Sequence, residues 1–202
     1  MQHETSSRDG VRDGVRDKAR DTKAEIHVAA LELFSSRGYE KTSLREIAEQ
    51  VGITKASLYY HYSSKQELLQ AIIGTFFDDL NDVFAQVDEQ PWSPERESEV
   101  LGAYLDAIIK HRATGPTLLR DMTAVLAAFG ERLDDLIEQS RRFQLWLAGP
   151  DPTPTDRLLA AAAVEVAGAV LSGGMGPADV SDEDMRTILL DAAGAVLARR
   201  TR

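Results

Sequence analysis

The 202-residue chain has no cysteine. That excludes a disulfide framework, a thiolate metal site and a cysteine nucleophile. It has no apolar run near the roughly 20 residues needed to span a bilayer. Its first residues are polar and charged, unlike the apolar core of a signal peptide. A cytoplasmic location without membrane attachment is therefore expected. Aromatic residues make up only 6% of the chain, and no segment alternates apolar and polar residues as a strand would. The chain also lacks an excess of positive charge, its formal net charge being −10. The deficit is uneven. Residues 1–65 carry a net +1 and residues 66–202 a net −11. The acid thus lies away from the N-terminal third, where it would repel phosphate and confine any nucleic-acid contact to one end.

Helical patterning fills the rest. The 43% hydrophobic content is enough for a buried core. Residues 1–20 contain the near-repeat VRDGVRDKARD and few apolar side chains, which reads as a disordered, solvated leader. The other reading is an arm that carries Arg16, Lys18 and Arg20 toward DNA. A first helix is expected from Thr22, with Glu25 as capping partner. Its apolar face is Ile26, Ala29, Ala30, Leu33 and Phe34, and Gly38 is its stop. Ser43 with Glu46 opens a second helix, with Leu44, Ile47, Ala48 and Val51 inward. Gly52 makes a turn. Thr54 caps a third helix, with Leu58 and Tyr62 inward. Ser64 with Glu67 opens a long fourth one.

Beyond residue 88, further helices are expected from Ser93-Pro94 to about Ala113, from Pro116 to about Ala128, and over 131–147, 156–172 and 182–199. The Pro-rich stretch 148–156 reads as a flexible link, and the Gly-rich 172–176 as a hinge. The chain is thus expected to be all-α, with about nine helices. Residues 1–20 would be a tail, 21–66 a three-helix helix-turn-helix domain, and 67–202 a larger helical domain for ligand binding and dimerisation.

A helix-turn-helix needs small or apolar residues between its two helices, a glycine turn, and outward side chains on its second helix. The third helix turns Leu58 inward and leaves Lys55, Ala56, Ser57, Tyr59, Tyr60 and His61 outward. Lys55 can donate to guanine or phosphate, Ser57 can donate or accept, and Ala56 can touch a thymine methyl. The hydroxyls of Tyr59 and Tyr60 suit phosphate, which fixes register. Lys65 and Ser43, with its adjacent amides, are further phosphate candidates. Packing offers another reading for Tyr59 and Tyr60, a helix-end position for His61, and a solvated capping turn for Lys65.

The run AALELFSSRGYEKTSLREIAEQVGITKASLYYHYSSKQELL, within residues 22–73, resembles the DNA-binding domain of the tetracycline-repressor (TetR) family. The resemblance implies an all-helical homodimer with a small N-terminal DNA domain and a larger C-terminal domain for a small-molecule effector. It implies a repressor that binds a palindromic double-stranded operator and lets go when the effector binds. It places DNA contacts on Ser43, Arg45, Lys55, Ala56, Ser57, Tyr59, Tyr60, His61 and Lys65. Ala56 stands where the family often has Gly, and Tyr62 where it often has Phe.

The penultimate helix, DRLLAAAAVEVAGAVLSG, is apolar around most of its circumference and needs cover on more than one side. Paired with the last helix, it suits a twofold four-helix interface between two copies. The larger side chains of 94–147 would line the sensor, with Tyr104, His111, Met122 and Trp146 as pocket candidates. Each suits a plain core equally well. In that arrangement an effector would favour a tilted fourth helix and change the spacing of the two recognition helices.

Two other classes compete with this reading. One is a dimeric ligand-binding protein without an operator. The other is a small all-α enzyme. His3, His27, His61 and His111 complete no Glu-x-x-His metal pair, and there is no Gly-x-Ser-x-Gly elbow or phosphate-binding glycine loop. No metal or cofactor is called for.

Overall fold

The computed structural model describes residues 6–89, 91–172 and 180–200, with side chains for 21–87, 91–171 and 180–200. Among the described residues there are ten α-helices and no strand. The chain divides into two compact units, Met1–Leu68 and Leu69–Arg202.

The first unit holds α1 (Ser6–Arg37), α2 (Leu44–Val51), α3 (Lys55–His61) and the opening of α4 (Lys65–Glu89). Its core is the apolar face read from the sequence: Ile26, Ala29, Ala30, Leu33 and Phe34 of α1 against Leu44, Ile47, Ala48 and Leu58. One expectation fails. α1 begins at Ser6 rather than Thr22, so residues 6–20 are helical and not a disordered leader. In the sequence of that stretch Asp9, Asp13 and Asp17 each stand three residues before an Arg, a spacing that supports a helix. Residues 1–5 lie outside the described residues.

The second unit holds the remainder of α4, then α5 (Pro94–Lys110), a 3-10 turn (Arg112–Thr114), α6 (Gly115–Arg120), α7 (Met122–Phe129), α8 (Glu131–Leu147), α9 (Pro154–Ser172) and α10 (Asp182–Leu197). The helix expected from Pro116 is two. Asp121 leaves helical geometry at φ −111° and ψ 34°, and its side chain makes no cap bond to α7. The 148–156 stretch, read as a link, ends in a defined cap. Thr153 and Asp156 bond reciprocally across the first turn of α9, and Asp156 is buried. The Gly-rich segment read as a hinge lies almost wholly outside the described residues.

Small side chains set the packing of α9. Ala160, Ala163 and Ala167 are fully buried, and α9 packs on α5, α8 and α10. A Cβ at Gly115 would run into the Leu171 carbonyl, so only glycine lets α6 approach α9 there. The aromatic centre of the unit is Phe84, Tyr104 and Phe143. Their ring centroids are 5.0 Å apart for Tyr104–Phe143 and 5.3 Å for Phe84–Phe143. Burial, with Glu165 adding to it, pushes the Tyr104 hydroxyl well above its ordinary range.

Candidate nucleic-acid interface

The helix-turn-helix is built from local chemistry. The Ser43 hydroxyl accepts from the Glu46 amide at 3.2 Å, and Glu46 takes the Ser43 amide at 2.8 Å. The two bonds close a capping box at the start of α2. The Ser43 hydroxyl and amide, each donating to the Glu46 carboxylate at 2.8 Å, with Arg37 3.2 Å away, hold that carboxyl below its usual range. At the far end Gly52 takes φ 78°, the left-handed conformation that favours glycine. Its amide and that of Ile53 reach back to Glu49 and Ala48. The chain then turns into α3, where the Thr54 hydroxyl accepts from the Ser57 amide at 3.1 Å.

Leu58 is fully buried and sets the rotation of α3. Lys55, Ala56, Tyr59 and Tyr60 are exposed, Tyr60 at 87%. Ser57 and His61 are half-buried. The Lys55 ammonium lies 5.4 Å from the Tyr59 ring centroid, so the two share one outward edge. This face offers a cation, two hydroxyls and a methyl to whatever meets it.

Three of the expected contact residues are engaged within the unit. Ser43 spends its amide and hydroxyl on Glu46, so a phosphate there would have to displace a carboxylate. Arg45 is exposed and bonds Glu49 one turn on, at 2.8 Å. Lys65 is the clearest case. Its ammonium donates to the carbonyls of Tyr39 at 2.6 Å and Thr42 at 3.0 Å, and lies 4.1 Å from the Tyr39 ring centroid. In this structure it fastens the α1–α2 connection to the start of α4. The Ser64 cap also differs from the expectation. Ser64 accepts from the Glu67 amide, but the Glu67 carboxylate turns to the amide and hydroxyl of Ser63. Those bonds hold Glu67 below its usual range.

Sequence reasoning gave no role to His27, which sits 2.6 Å from the Tyr62 hydroxyl. It also missed Gln50, which donates to Glu32 of α1 at 2.6 Å. Neither partner is near in sequence, so no local pattern points to it.

The four pocket candidates of the second unit differ in their surroundings. Tyr104 belongs to the aromatic centre. His111 ends α5 with Nε2 2.6 Å from Asp79, a carboxylate that also takes Lys110. Burial opposes ionisation of Asp79, but these two bonds hold its carboxyl below the usual range. Met122 is exposed. Trp146 is partly buried, and its indole N–H has no hydrogen-bond partner among the described residues.

Comparisons with known proteins bear on this site. The family model for bacterial regulatory proteins, tetR family, matches residues 26–72. The chain is 46% identical over 54 residues to the biofilm operon icaADBC HTH-type negative transcriptional regulator IcaR of Staphylococcus aureus (strain Newman). That match covers 27% of this chain and 29% of IcaR. It is 31% identical over 98 residues to the HTH-type transcriptional repressor KstR2 of Mycolicibacterium smegmatis, covering 48% of this chain and 47% of that one. The chain therefore spans less than half the length of these relatives. Among solved structures, the ketosteroid transcriptional regulator KstR2 of Mycobacterium tuberculosis superposes with a TM-score of 0.71 at 21% identity, over 89% of this chain and 95% of that one. A TetR-like regulator from Rhodococcus sp. RHA1 gives 0.59 at 26% identity, over 89% and 97%. At 21% identity the first likeness concerns the fold alone.

Proposed function

This chain belongs to the tetR family of bacterial regulatory proteins, and from that premise we propose that it is an effector-responsive transcriptional repressor, bound to DNA as a homodimer. The observation that carries the reading is the outward face of α3. Lys55, Ala56, Tyr59 and Tyr60 are exposed on a helix whose one fully buried residue is Leu58. A cation beside one exposed tyrosine, with a second exposed tyrosine next in sequence, suits a major groove flanked by phosphates. Arg45 adds a cation next to the start of α2, and Ser57 and His61 edge the same surface. Ser43 and Lys65 support this surface from behind by holding the α2 N-terminus and the loop before it.

Two copies would read two half-sites about one helical turn apart, hence a roughly palindromic operator. The second unit would bind the effector, with its long helix α4 continuous with residues of the first. Among the described residues no helix is long and apolar enough to cross a membrane.

The test is binding of the purified protein to duplex fragments from around its own gene, against scrambled competitor, over a salt series. Competitor-resistant binding to a near-palindrome is expected, with Lys55→Ala and Tyr59→Ala each losing at least tenfold while the protein stays folded. Binding no tighter than to scrambled DNA, for these and for genome-selected fragments, would overturn the reading.

A further inference from the structure

α3 is seven residues long, fewer than two full turns, and a helix this short does not hold itself in place. It depends on its ends and on what it buries. Its start has the Thr54 cap and its middle has Leu58. Its far end has Tyr62, whose amide donates to the Leu58 carbonyl at 2.9 Å and whose side chain is buried. A buried phenol needs a partner for its hydroxyl. Here that partner belongs to α1: His27 Nε2 at 2.6 Å, with the two rings tilted and 5.7 Å apart.

We propose that His27 is a positioning residue for DNA recognition: its imidazole holds the Tyr62 hydroxyl and so fastens the closing end of α3 to α1. The inference rests on the reading of α3 as a recognition helix. His27 touches no DNA in this arrangement. It fixes the angle at which Lys55, Tyr59 and Tyr60 are presented, and a loose end two residues beyond Tyr60 would let that face rock.

The charges around the pair make the fastening depend on protonation. Lys23 of α1 lies 6.0 Å from the Tyr62 ring, and the Glu67 carboxylate at the start of α4 also acts on the Tyr62 hydroxyl. Burial first, then Lys23, lowers the pKa of His27 below its ordinary 6.5, so the ring is neutral at neutral pH. A neutral ring with its proton on Nδ1 accepts the Tyr62 hydroxyl proton at Nε2. Protonation turns Nε2 from acceptor to donor, so the Tyr62 hydroxyl must reverse its part in the bond, and it sets a second positive charge beside Lys23. The sign follows. Above 6.5 the fastening is whole. As pH falls from 6.5 through the lower folded value, the unfolded chain binds a proton more readily than the folded one, and the fastening is weakened.

The test uses the full-length protein with Tyr62→Phe, His27→Ala and His27→Gln. The first readout is amide hydrogen exchange of Leu58 to Tyr62, compared with Ile47 and Ala48 in α2. Tyr62→Phe and His27→Ala should speed exchange in α3 about tenfold and leave α2 unchanged. His27→Gln, which keeps a side-chain hydrogen-bonding group and cannot titrate, should restore most of the protection and make it independent of pH between 7.5 and 5.5. The second readout is operator binding over the same range. Wild type should lose selectivity for operator over scrambled DNA toward pH 5.5, and Tyr62→Phe should show that loss already at pH 7.5. Unchanged α3 exchange in both Tyr62→Phe and His27→Ala overturns the inference, whatever the DNA results. Equal losses in α2 and α3 overturn it too, since they mark general destabilisation. Selective α3 loosening in a protein that binds no operator would sink the regulatory reading and leave the fastening in place.

Discussion

Thr117 is fully buried in α6, and its hydroxyl has no hydrogen-bond partner among the described residues. An unmet buried hydroxyl costs more than the methyl that could replace it. Thr117→Val keeps the shape and removes the polar atom, so it should stabilise the protein by about 1 kcal/mol. Urea unfolding followed by circular dichroism would read this as a higher midpoint at unchanged slope. A lower midpoint would mean that the hydroxyl is satisfied in solution. Tyr60 makes the opposite case. At 87% exposure it contributes little to folding, and Tyr60→Ala should move stability by less than about 0.5 kcal/mol while weakening DNA binding. At this scale the outward positions of α3 were legible, because a helical period with Leu58 inside leaves few choices. The engagement of Lys65 with the Tyr39 and Thr42 carbonyls was not, nor was the His27–Tyr62 bond. Both join residues more than 20 positions apart, and nothing in their neighbours marks them.

Among the elements, the short helices stand or fall with their ends. Thr54→Ala removes the side-chain bond to the Ser57 amide and should cost about 1 kcal/mol. The loss should be larger in operator binding than in an equally destabilising core change elsewhere, since it falls on α3 itself. A thermal melt paired with a binding titration separates the two. Glu46 and Glu67 hold their caps as carboxylates with lowered pKa. Their contribution is present above the ordinary carboxylate value and fades as pH falls through the lowered folded one. Helix starts were the most readable elements, because Ser43–Glu46, Thr54 and Ser93-Pro94 each bring their own signal. Two boundaries were misread for physical reasons. Residues 6–20 have almost no apolar side chains, so periodicity is silent there although charge spacing favours a helix. The break at Asp121 carries no proline, glycine or side-chain cap, so no strong stop signal marks it.

For the molecule as a whole, the question is what covers the outer faces of α9 and α10. The two helices pack on each other, with Ala160, Ala163 and Ala167 inward. On the outside, α9 shows Leu158 at 71% exposure and Ala162 one turn on, then Glu165 and Ala169. α10 shows Ile188 at 60%, with Ala192 and Ala195 beyond it. Large apolar side chains set among alanines suit close approach of a second helix pair, and a twofold contact would bring the same patch from each copy together. A stable dimer needs roughly 1,200–2,000 Å² buried in total, which two helix pairs of 16 and 19 residues can supply. Negative charge introduced there would face its own copy across the axis and be repelled. Leu158→Glu or Ile188→Glu should therefore shift the protein to monomer in sedimentation at micromolar concentration. Helical content should hold, since both side chains are already exposed in a single copy. Operator binding should fall by more than the loss of one α3 contact, because it removes the second half-site altogether. If either variant stays dimeric and binds operator as wild type does, the copies meet through another face, and the alanine-rich outer surface of α9 has some other use.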